Sequence, residues 1–357
     1  MANDLVTPAP GQRADRKRPG FVRRHKALVA LLVMALMATA ALAGWWFMLD
    51  RSLREVPRFE RPTQHPAGVK PLPGKGINIL LAGVDNDNAA GDLQSMVDSG
   101  DWQAGVFRSD TIMVLHINAD RRAAQVVSIP RDTWVAIPDH GEAKINAAFS
   151  YGGPALLATT VEQFTGIYLD HVMVVDLAGF EEITRTIGGV TVYVPQTVTD
   201  TFHNKTWTAG NHVVEGAEAL LYVRQRAGLP GGDFDRIQRQ QNFLRAVLTK
   251  VRSTGTVANP VTLTRLVGDL AGAVAVDDRF SPGVMRDLAL GSRRISESDV
   301  RFATVPVTGT PTINGQSTVA VDRGETQFLF AALAKDQFEA YLAGADVTLL
   351  PSQEQVN

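Results

Sequence analysis

Residues 27–49 run ALVALLVMALMATAALAGWWFML without a single charged side chain. A helix of that length, rising about 1.5 Å per residue, covers the roughly 30 Å hydrocarbon core of a bilayer. Seven basic residues precede the run (Arg13, Arg16, Lys17, Arg18, Arg23, Arg24 and Lys26), against Asp4 and Asp15. That asymmetry keeps the N-terminus cytoplasmic and exports the rest of the chain. A cleavable signal peptide shares the basic flank and the apolar run. However, the run exceeds the usual apolar stretch of such a peptide, and Trp45, Trp46 and Phe47 stand at its outer end. Interfacial aromatics anchor a span there, where cleavage would need small residues. The expectation is a single-pass signal-anchor in the cell membrane. It has a basic cytoplasmic tail (1–26), a transmembrane helix (27–49) and an extracytoplasmic bulk.

The composition, 45% hydrophobic and 20% charged, is that of a globular chain with a real core. The formal net charge is −2, and it becomes more negative once the basic tail is set aside. The exported part therefore lacks the overall basicity of a nucleic-acid-binding protein, and any anion site must be local. No cysteine occurs. Disulfides and thiolate chemistry are excluded, and the exported domain depends on its core.

Prolines 57, 62, 66, 71 and 73 punctuate residues 50–76. This composition predicts an extended stalk. At Ile77 the pattern changes to INILLAGV, a strand ending at Asp85, followed by a polar Gly/Asp/Ser-rich insertion over 86–107 that reads as a loop beside the site. TIMVLHIN (111–118), a polar turn at 119–122 and AAQVVSIP (123–130) read as a hairpin. Helical spacing covers 153–165, 177–187, 215–223, 236–252, 261–271 and 324–342, with strands at 171–176, 190–195 and 300–305. The mixture of hairpins and helical crossovers predicts an α/β (mixed α+β) domain with a central mixed sheet covered by helices. Its diagnostic part covers 77–252. Residues 253–350 either complete the domain or form a small accessory module, and 351–357 read as a loose tail.

Two segments concentrate the polar chemistry. Tyr222-Val223-Arg224-Gln225-Arg226 and Gly232-Asp233-Phe234-Asp235-Arg236-Ile237-Gln238-Arg239-Gln240-Gln241 flank a Gly/Pro turn. Guanidinium groups stay charged, are weakly hydrated and fork onto phosphate oxygens, so such a cluster suits a diphosphate. A solvated helix face is the plainer alternative. Asp85 ends one strand and Asp110 opens the next. Neighbouring strand ends bring the two carboxylates together as hard ligands for Mg²⁺, or each simply caps a strand or turn. Arg108 and Arg131 stand at strand ends, where open sheets gather ligands, or they pair with Asp110 and Asp132. No HExxH, GxSxG or Cys/His metal spacing is present, so zinc hydrolysis and Ser-His-Asp catalysis lack support. Gly74-Lys75-Gly76 is too short for a phosphate-binding P-loop. Ser109 lacks a recognisable histidine partner and reads as structural.

In order, AGVD (82–85), RSDT (108–111), SIPRD (128–132), KINAAFSYGGP (144–154), YVRQR (222–226) and GDFDRIQRQQ (232–241) resemble the LytR-CpsA-Psr family. The resemblance implies an extracytoplasmic phosphotransferase in cell-wall assembly. It would move a glycopolymer from a polyprenyl-pyrophosphate donor to a peptidoglycan hydroxyl and leave a phosphodiester. Asp85 and Asp110 would hold Mg²⁺, and Arg108, Arg131, Arg224, Arg226, Arg236 and Gln240 would hold the pyrophosphate. Asp233 would orient those arginines or help activate the acceptor. Phosphoryl transfer of this kind needs positioning and charge neutralisation rather than a covalent nucleophile.

Two departures from the family pattern stand out. Asn86-Asp87-Asn88 follows the first aspartate, where an arginine is often found, and Asp235 occupies a position where glycine is common. A lipid-pyrophosphate pyrophosphatase would use the same residues with water as acceptor. A non-catalytic, membrane-tethered glycolipid-binding or sensing protein is the alternative from another class. DNA regulation fails on the short cytoplasmic tail, which has no helix-turn-helix pattern. The polymer is open among teichoic acid, capsule, arabinogalactan and other glycans; the alanine- and arginine-rich, lysine-poor composition points to a GC-rich actinobacterial source, and through that source leans toward arabinogalactan.

Overall fold

The computed structural model describes residues 44–85, 108–253, 259–345 and 347–357, together with Met37, Thr39 and Val97. Two compact units divide at Met48. In the first, Met37, Thr39 and 44–48 are helical, with Trp46, Phe47 and Met48 exposed. Most of the expected transmembrane segment and the 86–107 insertion, Val97 excepted, lie outside the described residues. Among those described, no helix is long and apolar enough to cross a membrane.

The second unit, Leu49–Asn357, is organised on a seven-stranded mixed sheet. Its strands are β1 (Arg58–Phe59), β2 (Ile77–Asp85), β3 (Arg108–Ile117), β4 (Ala124–Ser128), β7 (His171–Asp176), β12 (Val274–Asp277) and β13 (Val300–Thr304), in the order β1-β12-β7-β2-β3-β4-β13. β2 pairs in parallel with β7 and antiparallel with β3, and β4 pairs antiparallel with β3 and in parallel with β13. The apolar run of β2 is explained by burial on both faces. Leu80, Ala82 and Val84 pack in one cluster with Phe149, Leu157 and Phe330. Ile79 and Leu81 belong to the opposite cluster with Ala273 and Leu288.

Helices cover both faces: α1 (Ala147–Thr165), α2 (Leu177–Thr186), α3 (Gly216–Arg224), α4 (Asp233–Ser253), α5 (Pro260–Ala273), α6 (Pro282–Ser292), α7 (Arg323–Ala334) and α8 (Phe338–Leu342). Short two-stranded ribbons add to the unit, among them β5 (Trp134–Ile137) with β6 (Gly141–Lys144), β8 (Val190–Val194) with β11 (Gly210–Val214), and β9 (Val198–Asp200) with β10 (Lys205–Trp207). α1 starts at Ala147, before the expected 153, and kinks at Gly152-Gly153. Gly153 takes φ 61° and ψ −159°, a conformation open to glycine, and Pro154 opens the second helical stretch. The single helix expected over 324–342 is two, broken at Lys335-Asp336-Gln337, where Asp336 takes φ 58°.

Two expectations change, and one alternative left open is decided. Residues 50–76 are not a bare stalk, because they are helical through Glu55, supply β1 to the sheet, and bury Val56, Phe59 and Arg61. Arg61 donates to Glu162 Oε1 at 2.5 Å and to the Leu169 carbonyl at 2.6 Å, contacts about a hundred residues away that composition does not reveal. Residues 253–350 complete the domain, since β12 and β13 are strands of the same sheet. The tail over 351–357 is docked rather than loose. Val356 is fully buried, and the Pro351 and Asn357 carbonyls accept from Arg245 and Arg239.

Candidate active site

Register places the first acidic residue of the site. Along β2 and β3, Gly83 faces Thr111 but Val84 faces Ser109, so Asp110 is the extra residue of a bulge. A bulge re-aims one side chain and interrupts the ladder. Asp110 thereby lines a cavity, while Ser109 beside it is fully buried and donates to the Thr111 carbonyl at 2.9 Å. Ser109 is structural. Asp85 is register partner to Arg108 at the same end of the two strands. The side chains of Asp85 and Arg108 lie outside the described residues.

Arg131 follows β4 and the buried Ile129, on a turn tied by Thr133 Oγ1 donating to the Pro130 carbonyl at 2.6 Å. Its Nη1 donates to Asp110 Oδ1 at 2.5 Å, and its Nη2 lies 3.7 Å from Asp233 Oδ1. Burial opposes the charge on Arg131, but Asp110 and then Asp233 outweigh it, so its pKa rises. Asp132, 3.9 Å from Arg131 Nε, pairs with Lys144 at 3.0 Å instead.

Asp233 begins α4, where a carboxylate is favoured by the helix dipole. Its Oδ1 meets Arg236 Nη2 at 2.7 Å, so one carboxylate holds two arginines. The Arg236 side chain is 6% exposed, and burial pulls its pKa down ahead of the opposing effect of Asp233. A cation paired with one carboxylate in a desolvated wall is well placed for a second anion. Gln240, one turn on, donates to the Val223 carbonyl at 3.4 Å and ties α4 to the end of α3, where Arg224 stands.

The extra carboxylate at Asp235 does not join this group. It is buried, and its Oδ2 accepts the Gly231 N–H at 2.8 Å, bracing the turn before α4. A Cβ at position 231 would stand 2.5 Å from that carboxylate. Arg239 has a similar supporting role. It is fully buried over the Tyr222 ring at 4.6 Å, donating to Gln225 Oε1 at 2.7 Å and to the Asn357 carbonyl at 2.5 Å. Gln225 sits between Arg224 and Arg226, so Arg239 fixes the segment that carries both. Sequence reasoning left Arg239 and Gln225 without roles. The i, i+4 spacing could have separated them, since Arg236, Gln240 and Phe243 share one face of α4 and Asp235, Arg239 and Asn242 another.

Asp110, Arg131, Arg224, Arg226, Arg236 and Gln240 line one cavity of about 430 Å³. Its remaining wall is largely apolar, with Leu81, Met113 and Val175 from the sheet and Phe180, Val223 and Phe243 from the helices. Asp200, Phe202 and His203 of the β9–β10 hairpin also line it, and no motif or spacing pointed to them. Among the described residues, no three His, Cys, Asp or Glu side chains converge as a closed metal cage. One carboxylate at a bulge, with Asp85 ending the neighbouring strand, instead fits an ion such as Mg²⁺ that draws further ligands from water and phosphate oxygens.

The fold is thus a mixed sheet with helices on both faces, and four arginines line one cavity against it. The chain matches the LytR_cpsA_psr family over residues 58–335 and belongs to it. It is 32% identical over 287 residues to "Cell wall biosynthesis protein LcpA" of Corynebacterium glutamicum, covering 71% of this chain and 54% of that protein. It is 28% identical over 245 residues to "Polyisoprenyl-teichoic acid--peptidoglycan teichoic acid transferase TagU" of Enterococcus faecalis, covering 68% and 75%. Its fold matches the "LytR-Csp2A-Psr enzyme from Actinomyces oris" with a TM-score of 0.60 at 20% identity, covering 78% and 96%. The chain thus spans little more than half the length of the corynebacterial relative.

Proposed function

We propose that this protein is a Mg²⁺-dependent phosphotransferase of the cell envelope. It moves a glycopolymer from a polyprenyl-pyrophosphate carrier to a peptidoglycan hydroxyl and forms a phosphodiester. One observation carries the reading: four arginines and an apolar wall line the same cavity. That combination suits a ligand with a diphosphate head and a hydrocarbon tail, and neither a free sugar nor an inorganic anion needs both. The names of the corynebacterial and enterococcal relatives point the same way.

In this reading Arg131 and Arg236, pre-positioned by Asp110 and Asp233, meet the pyrophosphate oxygens together with Arg224, Arg226 and Gln240, with Arg108 from the end of β3. Asp85 and Asp110 would hold Mg²⁺, which when bound neutralises charge building on the leaving phosphate. Holding the arginines in place before substrate arrives removes the reorganisation that water would need. A single-pass anchor over 27–49, with the domain extracytoplasmic, would confine it to the surface carrying its donor.

The test incubates the full chain in detergent micelles with a polyprenyl-pyrophosphoryl glycan, a peptidoglycan acceptor and Mg²⁺, with and without chelator. Both products are followed by mass spectrometry. Glycan phosphate joined to the acceptor, lost on chelation, is expected. Metal-dependent release of glycan phosphate without joining would make the protein a pyrophosphatase. No turnover with retained donor binding would make it a tethered glycolipid-binding protein.

A further inference from the structure

The β9–β10 hairpin brings a histidine and a buried aspartate to the cavity, and the pyrophosphate grip uses neither. Asp200 is 2% exposed, and its Oδ2 meets His203 Nδ1 at 2.7 Å while its Oδ1 accepts the Phe202 N–H at 2.9 Å. A carboxylate accepting at Nδ1 fixes the neutral tautomer with the lone pair on Nε2. The His203 side chain is 40% exposed, so the ring is anchored on its aspartate side and open elsewhere. The hairpin itself is fixed. Asn204 takes the left-handed turn at φ 50°, and Gly228 at φ 78° packs so closely that a Cβ would stand 2.3 Å from the Thr199 carbonyl. The loop that seats the hairpin also carries Arg226, whose guanidinium lies 5.8 Å from the Phe202 ring centroid. The Phe202 side chain is 72% exposed, an apolar face beside the dyad at the edge of the cavity.

We infer that the His203–Asp200 dyad is the acceptor-activating site, with Phe202 as the surface on which the acceptor sugar rests. This inference rests on the transferase reading and adds the general base that the arginine set lacks. In the step, the acceptor hydroxyl oxygen attacks the phosphorus bearing the glycan, and its proton passes to His203 Nε2. The bond from that phosphorus to the bridging oxygen breaks, and the polyprenyl phosphate leaves as an anion with the bonding pair. Asp200 stabilises the imidazolium formed, which then returns its proton to solvent. His203 is a catalytic residue here and Asp200 a positioning residue.

The test uses the full chain in detergent micelles with geranylgeranyl pyrophosphate as donor probe, and either water or a soluble peptidoglycan disaccharide as acceptor. His203→Ala and His203→Gln should bind the probe within about two-fold of wild type and turn it over about 10²-fold more slowly. Added imidazole should restore His203→Ala, where a cavity is left, and not His203→Gln, where the space is filled. Binding lost in proportion to turnover in both variants would make His203 structural and overturn the assignment. Unchanged turnover, or a His203→Ala rate that imidazole does not move, would overturn it as well. A wild type that hydrolyses the probe without joining it to the disaccharide overturns the transferase reading alone and leaves the histidine test intact. A wild type that turns over nothing with either acceptor removes both.

Discussion

Replacing Arg239 separates the support of the site from its grip. The guanidinium is fully buried and makes two hydrogen bonds, 2.7 Å to Gln225 and 2.5 Å to the Asn357 carbonyl, besides its stack on Tyr222. Arg239→Met keeps an apolar stem and leaves both acceptors unpaired, at about 1–3 kcal/mol each, and removes a desolvated cation–π contact of about 2 kcal/mol. Relief from burying the charge, which already pulls the Arg239 pKa down, offsets part of that. The expected net loss is about 3–5 kcal/mol, as for other broken buried ionic networks. For a domain of this size it lowers Tm by roughly 5–10 °C. Urea unfolding of the full chain in micelles, read with Gln225→Ala and the double variant, gives the coupling between the partners directly. Arg239→Met should also weaken geranylgeranyl pyrophosphate binding, because Gln225 is the link between Arg224 and Arg226. A destabilisation below about 1 kcal/mol, or a coupling near zero, would refute the hub.

Arg236→Ala and Arg224→Ala should each lower geranylgeranyl pyrophosphate affinity roughly tenfold or more, the scale of one charge-assisted contact. Asp110→Ala should abolish turnover in Mg²⁺ while leaving probe binding measurable by calorimetry, and full turnover would remove Asp110 from the metal set. Gln241 Nε2 donates to Ser128 Oγ and to the Ala303 carbonyl, both at 2.8 Å, joining α4 to β4 and β13. Gln241→Ala should therefore cost about 2–3 kcal/mol in denaturant unfolding. Burial holds His116 below its ordinary 6.5, ahead of the Asp336 carboxylate that pulls it upward. Its contribution is present above 6.5 and is lost as pH falls below that value, because the unfolded chain then binds the proton first. The stability difference between wild type and His116→Gln should shrink from about pH 7.5 to about pH 5.

The elements legible in the sequence are those whose signal is local. The strand at His171–Asp176 and the hairpin of β3 and β4 follow from apolar runs bounded by turn residues, and the helix over α2 follows from its spacing. Three of the cavity's four arginines, Arg224, Arg226 and Arg236, were legible as a cluster because they fall in two short segments that the fold brings together, whereas Arg131 reaches the same cavity from the turn after β4. The rest required tertiary contacts. Arg61 is one polar residue in a proline-rich stretch until Glu162, buried in α1, meets it. Asp110 reads as a strand residue until the register shift against β2 turns it into a bulge. His203 is a lone histidine in a polar turn, and only the burial of Asp200 makes it half of a pair.

The segment GDFDRIQRQQ reads as one basic cluster, yet α4 divides it by angle into separate tasks. Arg236 and Gln240 face the cavity, Asp235 and Arg239 tie the turn, the tail and the Arg224–Arg226 segment together, and Gln241 fixes the helix to the sheet. Burying that many polar groups is rarely a gain in stability over an apolar core, so their presence needs a different reason. A diphosphate held by several arginines is bound well only if the guanidiniums stay at fixed separations without the ligand, where their mutual repulsion would push them apart. Asp233 counters that repulsion between Arg131 and Arg236, and Arg239 counters the freedom of the neighbouring loop. Losing Arg236 should thus remove one contact from an intact grip, whereas losing Arg239 should loosen the grip while every residue that touches the ligand is still present.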